Sequence, residues 1–100
     1  MNSASLIDPF HVENRIHGAL LKAVEGKPQD SLAQLNHLAH RYPNAHKALL
    51  YSGALLMQMG QPGVALQTFE RYLKEAPVAE QPPGLSQEVA RMRREMRQSP

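Results

Sequence analysis

The residues GKPQDSLAQLNHLAHRYP, Gly26 to Pro43, lie over GQPGVALQTFERYLKEAP, Gly60 to Pro77, with Gly26/Gly60, Pro28/Pro62, Leu32/Leu66 and Pro43/Pro77 in register at an offset of 34 residues. A period of that length is what a stacked helix-turn-helix array produces, because each unit is two helices that cannot bury their apolar faces alone. In the first copy Leu32, Leu35, Leu38, Ala39 and Tyr42 keep one helix face apolar until Pro43 stops it. In the second, Ala65, Leu66, Phe69, Tyr72 and Leu73 do the same until Pro77. Pro28 and Pro62 stand at helix starts, where a missing N–H costs nothing.

The helix before each of these repeats as well. Gly18-Ala19-Leu20-Leu21 matches Gly53-Ala54-Leu55-Leu56, here at an offset of 35, which gives the first pair one extra residue before its Gly26 turn. Offsets of 34 and 35 both remain open for this helix, and 35 is preferred because it keeps Gly18 with Gly53 and Leu21 with Leu56. Asp8 before Pro9 and Asn44 after Pro43 are the expected N-caps of the first and third helices. The stretch APVAEQPPG, Ala76 to Gly84, carries too much proline to continue a helix. Beyond it Leu85, Val89, Met92 and Met96 are spaced four, three and four, the pattern of a helix that covers an open end while its outer face stays wet. The expectation is an all-α chain with helices near 9–25, 29–42, 45–59, 62–75 and 85–97.

Residues His46 to Ala79, with Leu49, Gly53, Leu56, Gly60, Ala65, Phe69 and Pro77 at matching spacing, resemble a tetratricopeptide repeat. Leu49 stands where the family usually has Trp and Leu56 where it has Tyr. Residues 11–45 are a degenerate copy, with Ser31, Leu35 and Leu38 replacing a small, an aromatic and a second small residue; Tyr72 replaces that second small residue in the clear copy. The resemblance implies antiparallel helix pairs stacked as a short right-handed solenoid. The expected organisation is an N-terminal segment 1–8, two helix pairs over 9–80 (11–45 degenerate, 46–79 clear), a connection 81–84 and a capping helix 85–98.

Composition narrows the function. One hundred residues support a single domain, and the absence of Cys removes disulfides, thiolate metal sites and thiol nucleophiles. No leader-like or membrane-length apolar run is present, so a cytoplasmic setting is expected. Residues 1–83 hold seven basic and seven acidic groups, and the whole net charge of +2 comes from Arg91, Arg93, Arg94 and Arg97 against Glu88 and Glu95. That placement fits an amphipathic capping helix whose arginine stems lie over apolar neighbours, and neither nucleic acid nor a membrane surface is the expected partner.

His37 and His40 lie three apart on one helix, but no Cys or clustered carboxylate completes a metal set, and no Ser/His/Asp or Gly-rich phosphate pattern occurs. No catalytic residue, metal or cofactor is expected, and the chain is not expected to be an enzyme. In the resembled family the first helix of each pair lines a concave groove. Carried onto the second copy, the exposed groove positions are Lys47, Leu50, Ala54, Met57 and Gln58. On the first copy an offset of 35 gives Val12, Arg15, Ala19, Lys22 and Ala23, and 34 gives Glu13, Ile16, Leu20, Ala23 and Val24. The preferred groove is a Leu50/Ala54/Met57 strip beside Arg15, Ala19 and Lys22. Ala19 and Tyr51 stand where the carboxylate-clamp adaptors of this family require asparagine, so a terminal carboxylate is not the expected ligand. The resemblance implies a protein-protein interaction module, an adaptor or a small dedicated chaperone such as those of secretion systems, binding a partner's peptide or helix. A homo-oligomer that fills its own groove, or one covered by Leu6, Ile7 and Phe10, is the competing expectation.

Overall fold

Gly-X-Pro turns punctuate the chain, each ending one helix and starting the next. In the computed structural model, which describes residues 9–98, α1 spans Pro9–Val24, α2 Pro28–Arg41, α3 His46–Gln58, α4 Pro62–Glu75 and α5 Leu85–Gln98. A 3-10 turn at Val78–Glu80 lies in the connection, and there is no strand among the described residues. Every helix boundary expected from the sequence lies within one residue of the one observed.

The two turns are built alike. Gly26 and Gly60 take left-handed φ values of 88° and 78°, where a side chain is disfavoured. The Lys27 N–H then reaches the Lys22 carbonyl at 2.8 Å and the Gln61 N–H reaches that of Leu56 at 2.9 Å. These bonds correct the register of α1. Lys22, not Leu21, is the counterpart of Leu56, so the offset is 34 throughout and the first pair has no extra residue. Burial agrees, since Ala19 is 0% exposed while Leu21 is 58% exposed. Gly18 is exposed, and a Cβ built there meets nothing within 4 Å. A second correction concerns capping. The N-cap position of α3 is Ala45, without a side-chain bond, and Asn44 takes no such role. Asp8 lies outside the described residues.

Consecutive helices pack antiparallel, α1 on α2, α2 on α3 and α3 on α4, with α5 against α4. The result measures 55 × 32 × 19 Å, about two helix diameters thick. Ile16, Ala19, Leu35, Leu38, Ala48 and Leu55 form the core of the first three helices. Leu56, Ala65, Leu66 and Phe69 form a second core that Val89 and Met92 of α5 complete. The α5 residues Leu85, Val89, Met92 and Met96 repeat the four-three-four spacing of Ala48, Ser52, Leu55 and Met59, so α5 stands where a third pair would place its first helix.

The proline-rich connection is fastened to α4. The Tyr72 hydroxyl donates to the Glu80 carbonyl at 3.1 Å, and Gln81 Nε2 donates to the carbonyls of Leu73 and Ala76 at 3.1 and 3.0 Å. Those are carbonyls that a helix end leaves without an internal donor. Burial, aided by Glu80, pushes the Tyr72 phenol above its ordinary pKa.

Ser31 and Ser52 are fully buried and their hydroxyls have no hydrogen-bond partner. An unsatisfied buried hydroxyl costs about 1–3 kcal/mol. Ser31→Ala, which copies Ala65 at the matching position, is therefore expected to raise the unfolding free energy by about 1 kcal/mol in denaturant titrations. A loss of stability would show that the hydroxyl is paired.

Candidate functional site

The 34-residue register decides which side chains share a face. Lys47 Nζ donates to Glu13 Oε2 at 3.3 Å, which ties α3 to α1 across one layer of the stack. The Glu13 carboxylate holds the Lys47 ammonium above its ordinary pKa, first through that hydrogen bond and then through its charge. Both helices start a pair, so a residue of α1 holds the position of the residue 34 places later in α3. Leu20 matches Ala54, Ala23 matches Met57 and Val24 matches Gln58.

This face carries Val24, 82% exposed, and Met57, 43%, whereas Leu21, 58% exposed, holds the position of the buried Leu55 and falls off the strip. Ala54 and Gln58 are exposed beside Met57, and Lys47 is exposed one end away. Leu50 behaves differently from the sequence expectation. It is only half-exposed and packs against the cluster of Leu56, Phe69, Val89 and Met92 and against that of Leu49 and Tyr72. Ile16, the α1 neighbour of Leu50 at this offset, is buried in the first core.

The first-repeat residues expected in the groove do not join the strip. Ala19 is buried in the α1–α2 core. Arg15 and Lys22 lie on the opposite flank of α1, where they line a recess of about 540 Å³ with Gly18, Gln34, His37 and Leu38. The reason is the one-residue slip in register, which rotates every side chain of a helix by about 100°. Glu13, Leu20, Ala23 and Val24 take their place, with Ile16 buried. The signal for them was present in the sequence as the uniform 34-residue offset from Gly26 to Pro77.

The rest of the surface is charge-paired. Arg91 pairs with Glu88 and with Glu95, and Arg93 pairs with Glu70 on α4. Glu88 raises the Arg91 pKa further above its ordinary value. The basic excess of the tail is thus carried by Arg94 and Arg97, on a helix anchored by Val89 and Met92. His37 and His40 are both exposed on α2, and among the described residues no three His, Cys, Asp or Glu side chains are placed to hold a metal ion. No helix among them is long and apolar enough to cross a membrane. The fold and this face define an all-α stack of helix pairs with one apolar strip open to solvent. Comparison of the chain with protein-family models, with curated proteins and with solved structures finds no match.

Proposed function

We propose that the protein is a small tetratricopeptide-like adaptor or dedicated chaperone that binds a peptide or helix of another protein on the α1/α3 face, without catalysis and in the cytoplasm. One observation carries this reading. Of the five large apolar side chains exposed among the described residues, Val24 and Met57 hold groove positions on α1 and α3 at the 34-residue offset, while Leu21, Val64 and Val78 lie elsewhere. Clustered exposed apolar surface on a well-packed domain marks an interaction site, whereas scattered residues need no explanation. Met57 adds an adaptable side chain that accepts more than one shape.

Coverage by the chain's own N-terminus is disfavoured by reach. Leu6 and Ile7 and the Phe10 side chain lie outside the described residues. Leu6 and Ile7 precede Pro9 by at most about 10 Å of extended chain, whereas Val24 lies about 22 Å along α1 from it.

Because Leu50 supports the core, the strip is best tested at Val24 and Met57. Val24→Asp with Met57→Asp is expected to abolish partner capture from the native lysate with helicity unchanged. Each buried apolar anchor contributes about 1.5–3 kcal/mol, a tenfold or larger change in affinity. Arg94→Glu should change capture little. A self-associating domain would respond differently, with the double variant altering its own mass in sedimentation when no partner is present.

A further inference from the structure

Four methionines fall among the described residues, and their surroundings differ. Met92 is buried, 6% exposed, beside Val89 and Phe69 in the second core. Met59 and Met96 are partly buried, Met59 packed on the core of the first three helices and Met96 on the second core. Met57 is 43% exposed and packs against none of the buried clusters of the described residues. Its thioether is the most open of the four, and it is the one that lies on the α1/α3 strip. Ala23, which holds the matching position 34 residues earlier in α1, adds no second thioether there.

We infer that Met57 is an oxidation site that regulates the strip: a peroxide converts its thioether to the sulfoxide, and the strip releases its partner while the fold stays intact. The inference rests on the partner-binding reading of that face. In the step itself a sulfur lone pair attacks one peroxide oxygen. The S–O bond forms as the O–O bond breaks, and the other oxygen leaves as water with both peroxide protons. Sulfur loses two electrons and the peroxide gains them. The product carries a polar, hydrogen-bond-accepting group where a pliable apolar side chain stood. Against an apolar partner surface that oxygen is buried without a donor, which is unfavourable, whereas in the free chain it stays in water. Oxidation therefore acts on the complex and spares the fold. A methionine sulfoxide reductase supplied with a dithiol reverses the step, removing the oxygen as water and forming a disulfide in the reductant.

The test treats the full chain with hydrogen peroxide and follows oxidation site by site by peptide mass mapping. Met57 should gain one oxygen about tenfold or more faster than Met92, and faster than Met59 and Met96, with the melting curve retained. A photo-crosslinking residue at Val24 then reads the strip in native lysate once the peroxide is removed. Adducts to another protein should fall about tenfold or more in the oxidised chain and return after reductase and dithiol. In Met57→Leu they should not respond to peroxide, and Met57→Gln should lower them with no oxidant present. Oxidation of a core methionine ahead of Met57, a melting curve lost with Met57 oxidised, or adducts that persist on the sulfoxide would overturn the inference. So would an equal loss in Met57→Leu, which would place the sensitive site elsewhere in the chain. Absence of adducts in the untreated chain would overturn the strip reading itself, and this inference with it.

Discussion

Gly53→Leu is expected to abolish cooperative thermal unfolding and leave a protein with little native packing. A Cβ at Gly53 falls 2.5 Å from the Phe69 ring, closer than real side chains approach, and the ring is itself buried between α3, α4 and α5. It cannot swing outward without vacating the second core. Overpacking a tight core costs about 1–3 kcal/mol when neighbours yield, and more when they cannot. A small domain has only about 5–15 kcal/mol in total. Gly18 supplies the contrast within the same protein. Gly18→Ala meets nothing and relieves a helical glycine, so it should stabilise by about 0.5–1 kcal/mol. If the two substitutions behave alike, the register in which Ala19 rather than Gly18 matches Gly53 is wrong.

Deleting residues 84–100 is expected to have an effect of similar size. It removes Val89 and Met92, 1% and 6% exposed, and uncovers Leu66, Phe69 and Leu73 on α4 together with the partly covered Leu50 on α3. Each apolar side chain taken out of water is worth about 1.5–3 kcal/mol, and two helix pairs stand below the three units that usually make such an array stable. The shortened protein should aggregate or melt without cooperativity. A soluble monomer with an unchanged melt would make α5 a free arm and turn attention to Arg94 and Arg97 as a binding surface.

The helices were legible because proline and glycine mark their ends by local chemistry. Gly26 and Gly60 bend the chain where a side chain resists bending, and Pro28 and Pro62 begin helices wherever they fall. The capping role of α5 was legible for a similar reason, since its apolar residues fall on one stripe. The register of α1 was harder. Gly18-Ala19-Leu20-Leu21 looks like Gly53-Ala54-Leu55-Leu56, but the resemblance holds only if both helices meet the same surroundings. They do not. α3 is packed by α2 on one flank and α4 on the other, and needs Leu49 and Leu56; α1 has no described helix before it and carries Arg15 and Lys22 there. Copies of a repeat diverge at the positions where their surroundings differ, which is also where matching by letters misleads. Leu50 differs from the expectation for another reason, because the two clusters it packs against draw members from as late in the chain as Tyr72 and Met92. The place of Val24 on the strip followed from the turn bonds to the Lys22 and Leu56 carbonyls, which are geometry rather than composition.

Whether the α1/α3 face holds another protein can be asked directly with a photo-crosslinking residue placed singly at Val24, Met57 or Val64 in the full chain and irradiated in the native cell. Met57 and Val64 are 43% and 49% exposed, so they offer equal access and differ in the face they occupy. Adducts to one other protein at Val24 and Met57, absent at Val64, are the expected result. Adducts of twice the chain's own mass, or equal labelling at all three positions, would contradict a partner-binding strip between α1 and α3.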